Sequence, residues 1–298
     1  MEMNFTKMNA SGNDFIVIDN TGKILPEDIS AAAKKLCRRK YSIGADGLLV
    51  VEKSKTADFR MRIFNPDGSE AEMCGNGSRC IAMYAFINDI AGRKMVIQTL
   101  SGPVGAEIRG ERVRVKLKDP NSLKFRLNIK IGNRDLKVSF INTGVPHAVV
   151  FVENTKDIDV KKLGRAIRYN SSFSPAGANV DFVSVIDKNS ISIRTYERGV
   201  EDETFACGTG SVAAAIISGI LQKILSPVHV HTRGGEILKV YYNVKKGTKT
   251  QQVVNSVFLE GRTEVVYEGT ISDDSTVAQG LSRELAKSRM MGSFVVHK

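Results

Sequence analysis

A five-residue motif occurs twice in this chain and constrains its fold more than any other feature. The segment Cys74–Ser78 reads Cys-Gly-Asn-Gly-Ser, and the segment Cys207–Ser211 reads Cys-Gly-Thr-Gly-Ser. The two cysteines are 133 residues apart in a chain of 298 residues, and an apolar segment with helical spacing follows each copy. The repeat predicts two lobes of similar design, each carrying one cysteine at the start of a helix.

The start of a helix changes what a cysteine can do. Unpaired N–H groups and a partial positive charge at this position lower the pKa of a thiol and bind carboxylates. Glycine also lets backbone amides approach a ligand closely. If the two motifs face each other across a cleft, one thiolate can remove a proton from a carbon while the other thiol returns one to the opposite face. This arrangement indicates racemisation or epimerisation of a small anionic molecule by general acid–base catalysis.

Other roles for the 4 cysteines fit the spacing less well. Zinc sites favour Cys-x-x-Cys pairs or nearby histidines, whereas five residues separate Cys74 from Cys80, so we expect no metal. The same spacing disfavours a thioredoxin-like dithiol, as does the absence of an evident βαβ pattern around it. Cys80 falls on an apolar helix stripe, and it and Cys37 are interpreted as buried structural residues.

The composition is that of an ordinary globular protein. A hydrophobic fraction of 42% with 25% charged residues excludes a disordered or collagen-like chain, and 4 cysteines are too few for a disulfide scaffold. The segment Met1–Phe5 lacks the basic and apolar regions of a signal peptide, so we expect a cytoplasmic protein with reduced thiols. The segment Thr204–Gln222 carries no charge, but its apolar part is too short to span a membrane and predicts a helix buried on all sides.

The net charge of +11 raises the question of a nucleic-acid partner. Basic residues are densest in Arg109–Lys137, where Arg112–Leu117 alternates basic with apolar side chains, as a strand with one solvated face does. Surfaces that stack bases need interleaved aromatic residues, and this stretch contains only Phe125. We therefore expect neither nucleic acid nor membrane as a partner, although the basic excess could attract an anionic small molecule.

Strands dominate the predicted secondary structure, and helices are fewer. Strand patterns cover Asp14–Asp19, Leu48–Glu52, Phe59–Phe64, Met95–Thr99, Val113–Leu117, Leu136–Asn142, Ala148–Val152, Val180–Ile186, Ile191–Tyr196, Val228–Thr232 and Val253–Phe258. Helical spacing covers Pro26–Arg39, Ser78–Ile90, Val160–Tyr169, Gly210–Leu221 and Val277–Met290. Many strands with a few separated helices and no evident βαβ alternation favour an α+β or sheet-wrapped architecture over a doubly wound parallel sheet.

Eight motifs in order along the chain carry a resemblance to a known family. They are Gly12–Phe15, Gly44–Gly47, Phe64–Ser69, Met73–Gly77, Pro146–Val149, Gly177–Val180, Tyr196–Gly199 and Ala206–Gly210. From Phe5 to about Ile271 the chain resembles diaminopimelate epimerases, pyridoxal-independent enzymes that interconvert LL- and meso-diaminopimelate on the route to lysine and peptidoglycan. A single glycine-rich cysteine motif would be a weak signal, whereas two with the other motifs between them are a specific one.

The resemblance implies two pseudo-symmetric lobes, each a β-sheet or barrel wrapped around a central helix, with the substrate in the cleft between them. Residues 1–120 would form the lobe that carries Cys74, joined by returning strands at about 262–271. Residues 121–261 would form the lobe that carries Cys207. Residues 272–298 would be an extension to which the sequence assigns no role. The resemblance also implies a homodimer that needs no cofactor.

Carried over by motif, twelve residues form the site that the resemblance implies. Cys74 and Cys207 are the acid–base pair, and His147 occupies a position linked to catalysis. Backbone amides of Gly75, Asn76, Gly208 and Thr209 hold the reacting carboxylate, and the reacting amino group lies between Glu197 and Asn13. Contacts to the distal end of the amino acid come from Asn65, Asn179 and Arg198, whose guanidinium suits a carboxylate.

Each polar residue of this set also has a structural interpretation. Asn13 and Asn65 lie beside turn-forming residues, Glu197 and Arg198 form a pair that a strand end could expose, and His147 could be a loop histidine. The chain departs from the family pattern at Val145, where many members carry Asn, at Ala10-Ser11 and at Gly47. These departures concern specificity, and they leave open a racemase of another amino acid that uses the same cysteine pair. A binding module on the same scaffold is the alternative from a different class, though it would have no use for two activated thiols.

Overall fold

The computed structural model describes residues 2–246 and 252–272. The first lobe contains β1 (Glu2–Ala10), β2 (Asn13–Asp19), α1 (Ile29–Leu36), β3 (Gly47–Glu52), β4 (Phe59–Phe64), β5 (Glu70–Ala71), α2 (Gly75–Ile87), β6 (Lys94–Thr99), β7 (Gly102–Arg109) and β8 (Arg112–Lys116). The second contains β9 (Asn121–Ile131), β10 (Arg134–Asn142), β11 (Pro146–Phe151), α3 (Val160–Arg168), β12 (Asn179–Val185), β13 (Ser190–Glu197), β14 (Asp202–Thr204), α4 (Gly208–Gln222), β15 (Val228–His231), β16 (Ile237–Lys246) and β17 (Gln252–Arg262). A last strand, β18 (Glu264–Ser272), follows them.

The order of elements repeats along the chain. In each lobe the repeat begins with two antiparallel strands, β1 with β2 and β10 with β11. A helix then leads to a strand that pairs parallel with the second of these, β3 in one lobe and β12 in the other. That strand forms a hairpin with the next one, and a second helix leads from the hairpin to another parallel strand. Strands β8 and β17 end the two repeats and pair antiparallel, which joins the lobes through hydrogen bonds. The first strand of each repeat has one further antiparallel neighbour, which is β18 beside β1 and β9 beside β10. The repeat in sequence is thus a repeat in topology, and the two-lobed α+β architecture is confirmed.

The expectation that the chain lacks βαβ units is wrong. Helices α1, α2, α3 and α4 each lie between the two strands of a parallel pair, namely β2 and β3, β4 and β6, β11 and β12, and β13 and β15. Continuous apolar runs such as Phe15–Ile18 and Leu48–Val51 are typical of strands buried on both faces, and both runs are buried here. The short strands β5 and β14, inserted before α2 and α4, hide the alternation in the sequence.

All eleven predicted strands are present, and four of the five predicted helices are. The fifth helix prediction, Val277–Met290, lies outside the described residues. Sequence patterning missed β1, β7, β9, β16 and the short strands β5 and β14, and only the family resemblance indicated β18. In β1 the polar residues Thr6 and Lys7 are buried among apolar ones, which breaks the alternation that identifies a half-buried strand.

Helices α2 and α4 occupy the centre of the molecule and contact each other. Residues Val212–Ile217 of α4 are at most 1% exposed, which confirms the prediction of a helix buried on all sides. Helices α1 and α3 pack against the outer faces of their sheets in separate apolar clusters. Within the described ranges, no helix is long and apolar enough to cross a membrane. The central position of α2 and α4 brings the starts of both helices to the boundary between the lobes.

Candidate active site

The two cysteines of the repeat have the same local geometry. Cys74 is the N-cap of α2, and its Sγ accepts a hydrogen bond from the Gly77 N–H at 3.4 Å. Cys207 is the N-cap of α4, and its Sγ accepts from the Gly210 N–H at 3.4 Å. Both residues have extended backbone angles, as N-cap residues do. The motif therefore places each sulfur beside the free N–H groups that begin a helix.

Both sulfurs lie in the lining of one cavity between the lobes. The cavity has a volume of about 800 Å³, and its lining includes residues that flank both helix starts. A Cβ built on Gly208 would lie 3.7 Å from Asn76 Oδ1, so the first turns of α4 and α2 are in close proximity. Eight of the twelve predicted site residues line this cavity: Asn13, Cys74, Gly75, Asn76, Glu197, Cys207, Gly208 and Thr209.

Asparagine side chains link the first-lobe wall of the cavity. Asn76 donates from Nδ2 to Asn13 Oδ1 at 2.6 Å, and Asn13 Nδ2 donates to Asp46 Oδ2 at 3.2 Å. Arg39 pairs with Asp46 at 2.8 Å and with Asp14, which also pairs with Lys7 at 2.7 Å. Asn13 is therefore held by two partners, and its amide is oriented before any ligand binds.

On the second-lobe side, His147 lies behind the cavity wall. Its side chain is fully buried, with Nδ1 2.7 Å from Asp181 Oδ2 and Nε2 3.0 Å from Thr209 Oγ1. Thr209 Oγ1 in turn lies 3.4 Å from Cys207 Sγ. His147 thus reaches the cysteine through the threonine hydroxyl, not directly.

The three residues predicted to contact the distal end of the substrate are not in the cavity lining. Asn65 is exposed in the turn after β4, where its Nδ2 donates to Ser69 Oγ at 2.9 Å. Asn179 is buried, and its Oδ1 accepts from the backbone N–H of Arg198 at 2.7 Å. The Arg198 guanidinium is partly exposed and contacts the Ala176 carbonyl at 3.5 Å. A hydrogen bond therefore brings Asn179 and Arg198 together, whereas the Asn65 side chain is engaged by Ser69 in the first lobe.

The pKa values of the thiols depart from the sequence expectation. Burial raises the pKa of Cys74, and the N–H groups of Gly77 and Asn76 offset this effect only in part. Burial raises the pKa of Cys207, and the nearby carboxyls of Glu197 and Asp181 raise it further. Hydrogen bonds from Thr209 and Gly210 lower this pKa by a smaller amount. Desolvation thus outweighs the helix start in the free site, because burial disfavours the thiolate. Burial also raises the pKa of the Glu197 carboxyl.

Sequence reasoning missed several polar residues around the site. Asp181 is fully buried and accepts from Thr195 Oγ1 at 2.8 Å as well as contacting His147. A charged residue inside the apolar run Val180–Val183 was the available signal. Asp46 was also missed, although it lies in a motif of the resemblance. Among the described residues no group of His, Cys, Asp and Glu side chains is arranged to hold a metal ion.

The chain is similar over most of its length to a family of known enzymes. The family model for diaminopimelate epimerase matches residues 5–122 and 139–256. The diaminopimelate epimerase of Hydrogenobaculum sp. (strain Y04AAS1) is 43% identical over 283 residues, covering 91% of this chain and 99% of that protein. The diaminopimelate epimerase of Aquifex aeolicus is 40% identical over 286 residues, with coverages of 91% and 99%.

Solved structures share the fold at much lower identity. A Bacillus anthracis phenazine biosynthesis protein of the PhzF family superposes with a TM-score of 0.69 at 17% identity, covering 92% of this chain and all of that chain. A probable proline racemase from Agrobacterium radiobacter K84 superposes with a TM-score of 0.65 at 13% identity, covering 91% and 93%. These likenesses show the two-lobed fold alone.

Proposed function

This chain belongs to the diaminopimelate epimerase family, and on that premise we propose that Cys74 and Cys207 transfer protons at opposite faces of the substrate α-carbon. The enzyme is an isomerase that interconverts LL- and meso-diaminopimelate. The observation that supports the two-thiol mechanism best is the matched geometry of the sulfurs, one on each lobe, in the lining of one cavity.

The helix starts stabilise the charge that develops in the reaction. When the α-proton leaves, negative charge spreads from the α-carbon onto the carboxylate. Backbone N–H groups of Gly75 and Asn76 from one lobe, and of Gly208 and Thr209 from the other, bind that carboxylate. Because these groups are fixed before the substrate binds, they lower the energy of the charged intermediate without reorganising.

Glu197 and Asn13 hold the reacting ammonium group. Glu197 lines the cavity and burial raises the pKa of its carboxyl, so a bound ammonium group would favour the charged form of that carboxyl. The Asn13 amide is oriented by Asn76 and Asp46, and its oxygen can accept one further hydrogen bond. Positioning the ammonium and carboxylate groups together directs the α-hydrogen towards one sulfur.

Asn65, Asn179 and Arg198 contact the distal end of the substrate in this proposal. Arg198 offers the strongest support, because its guanidinium is partly exposed and makes only one hydrogen bond, at 3.5 Å, among the described residues. Asn179 positions the Arg198 backbone. Asn65 would have to exchange its turn contact with Ser69 for the substrate.

We also propose the division of the chain and the setting in which it works. Residues 1–120 with 262–271 form one lobe and residues 121–261 the other, supported by the pairing of β18 with β1. Of the predicted extension, residues 272–298, all but Ser272 lie outside the described residues. The homodimer rests on the resemblance, and a cytoplasmic location suits a catalytic thiol pair, because the cytoplasm keeps thiols reduced. Light scattering of the purified protein tests the dimer.

Solvent isotope exchange tests the proposed mechanism. In deuterated water, without pyridoxal phosphate, the wild-type enzyme is expected to incorporate deuterium at the α-carbon of LL-diaminopimelate and to form the meso isomer. Cys74→Ala and Cys207→Ala should each abolish epimerisation. The matched control is Cys37→Ala, because Cys37 is buried in the outer cluster of the first lobe. Full turnover by either Cys74→Ala or Cys207→Ala would rule out the two-thiol mechanism.

The same assay separates the alternatives. A panel of amino acids in deuterated water would select a racemase of another amino acid if diaminopimelate stayed inert while another substrate exchanged. Val145 motivates that arm, because it lines the cavity where many members carry Asn. Exchange with any amino acid excludes a pure binding module.

A further inference from the structure

The two lobes provide an internal comparison of what lies beneath each cysteine. The hairpin registers make Leu49 and Ile63 of the first lobe equivalent to Asp181 and Thr195 of the second. A Cβ on Gly77 would meet Leu49 Cδ2 at 3.1 Å and Ile63 Cδ1 at 3.3 Å, whereas a Cβ on Gly210 would meet Asp181 Oδ1 at 2.5 Å. The helix start above Cys74 thus rests on apolar side chains, and the helix start above Cys207 rests on a carboxylate.

A third pair of equivalent positions is likewise apolar in the first lobe and polar in the second. The parallel registers of β2 with β3 and of β11 with β12 place Phe15 where the second lobe has His147. Phe15 is 3% exposed, and His147 and Asp181 are fully buried. Burying polar groups is unfavourable unless they are paired, and the first lobe shows that the fold accepts an apolar cluster at these positions. The fold therefore does not require the polar cluster in the second lobe.

The hydrogen bonds of this cluster have a single direction. An ionised Asp181 only accepts, so His147 Nδ1 carries the proton that is donated across 2.7 Å to Oδ2. In the neutral ring Nε2 is then bare and accepts from the Thr209 hydroxyl at 3.0 Å and from Asn179 Nδ2 at 3.4 Å. The Thr209 oxygen, having donated its proton, can accept the Cys207 S–H across 3.4 Å. Thr195 donates to the other Asp181 oxygen at 2.8 Å and holds the carboxylate in place.

We propose that Asp181 is the positioning residue of a proton relay that runs through His147 and Thr209 to Cys207. The described residues at the equivalent positions near Cys74 form no such relay. This proposal rests on the proposed function. The Cys207 proton moves to Thr209 Oγ1 as the Thr209 proton moves to His147 Nε2, which leaves a thiolate and an imidazolium beside the Asp181 carboxylate. No other bond changes and the total charge of the cluster is constant. The reverse transfer restores the thiol.

The relay explains how a buried thiol becomes a base. The charged groups facing Cys207 are Glu197 at the end of β13 and Asp181 on β12, and both carboxylates disfavour a second negative charge. Moving the proton to His147 offsets one of these charges, because the imidazolium is hydrogen-bonded to the Asp181 carboxylate. In the first lobe the cation that lowers the Cys74 pKa is the buried Arg79, and its effect is smaller than that of burial. A guanidinium does not give up its proton, so Arg79 cannot act as His147 does.

Alkylation of the two thiols in one sample tests the relay. The probe is iodoacetamide at pH 7, with modification of Cys207 and Cys74 followed by peptide mass spectrometry. In Asp181→Asn the amide keeps the shape of the carboxylate but cannot stabilise the imidazolium. The relay predicts that Cys207 reacts about tenfold more slowly, the effect of losing one hydrogen bond to a charged group, while Cys74 stays within about twofold. If Asp181 acted only as a nearby negative charge, its removal would make Cys207 react faster. A faster or unchanged Cys207 overturns the proposal.

A second variant covers the case in which Asp181→Asn does not fold. The triple change His147→Phe, Asp181→Leu and Thr195→Ile transplants the cluster of the first lobe, whose packing the structure already contains. It also removes the negative charge, so slower Cys207 alkylation supports the relay and faster alkylation contradicts it. Thr209→Val should slow Cys207, and Thr209→Ser should restore its rate.

The outcome is independent of the test of the overall mechanism. Because the equilibrium between the two stereoisomers fixes the ratio of kcat/KM in the two directions, steady-state rates cannot assign an effect to one thiol. Relative alkylation does so without turnover. Failure of the relay would leave epimerisation and its dependence on both cysteines intact. Failure of the two-thiol mechanism would show as turnover by Cys74→Ala or Cys207→Ala.

Discussion

Replacing Gly210 with alanine tests whether the carboxylate beneath α4 is held as tightly as its contacts indicate. The new Cβ would lie 2.5 Å from Asp181 Oδ1 and 3.2 Å from its Cγ. Asp181 would therefore have to move by about 1 Å to return to ordinary van der Waals distance from the new Cβ. Asp181 cannot move that far without losing its hydrogen bond to His147 or to Thr195.

The magnitude follows from three effects. Overpacking costs about 1–3 kcal/mol, and losing a hydrogen bond to a charged group costs about 1.5–3 kcal/mol. The higher helix propensity of alanine offsets up to about 1 kcal/mol. We expect the free energy of unfolding of Gly210→Ala to fall by about 2 kcal/mol, and displacement of the His147 cluster to lower kcat at least about tenfold.

Gly77→Ala is the matched control, because Gly77 holds the equivalent position in α2. Its Cβ would meet the ends of two flexible apolar side chains, Leu49 and Ile63, at 3.1 and 3.3 Å. These can shift by a few tenths of an ångström, so the stability should stay within about 1 kcal/mol of the wild type. Urea unfolding followed by circular dichroism, with turnover assayed in parallel, compares the two variants. Equal stability and full activity in both would refute the reasoning.

Two further predictions concern the other thiols and the first-lobe ion pairs. Cys37 and Cys80 are buried, whereas Cys74 and Cys207 are partly exposed in the cavity lining. Iodoacetamide should therefore modify Cys74 and Cys207 well before the other two thiols, as peptide mass spectrometry would show; modification of Cys80 at the rate of Cys74 would contradict this. Burial raises the pKa of Asp14, but hydrogen bonds from Arg39 and Lys7 outweigh this effect and lower the pKa from 3.8 to about 2. The stabilisation that ionised Asp14 contributes is therefore present above pH 3.8 and is lost as the pH falls towards 2. After allowance for solvent screening this contribution is about 1 kcal/mol, and Asp14→Asn should show a flatter loss of stability between pH 4 and pH 2 in urea titrations; an unchanged slope would disprove the assignment.

Much of the fold could be predicted because its signals are local. Alternation along β4 and β13 identifies half-buried strands, and both occur where predicted. The parallel pairing of β2 with β3 escaped prediction because it depends on where α1 returns the chain, which no local pattern records. The strand β1 escaped because Lys7 is buried there against Asp14, a partner that becomes visible only in three dimensions.

The candidate site divides in the same way. Cys74 and Cys207 were identified from the motif alone, and the structure places both at helix starts in one cavity. Asp181 was not identified, because its role depends on His147 from a neighbouring strand and Gly210 from a helix. Asn65, directly after β4, is equivalent in position to Glu197, the last residue of β13, yet only Glu197 lines the cavity.

The sequence by itself determined the repeat, the position of each cysteine at the start of a helix and the family to which the chain is similar. These depend on short stretches, in which a capping residue and two glycines specify a helix start. Only the tertiary structure decided what surrounds each sulfur. Burial raises the pKa of both thiols despite the helix starts, and a polar cluster lies beneath Cys207 where an apolar one lies beneath Cys74. Desolvation and hydrogen bonding depend on residues distant in the chain, and packing of the two lobes brings those residues to the sulfurs.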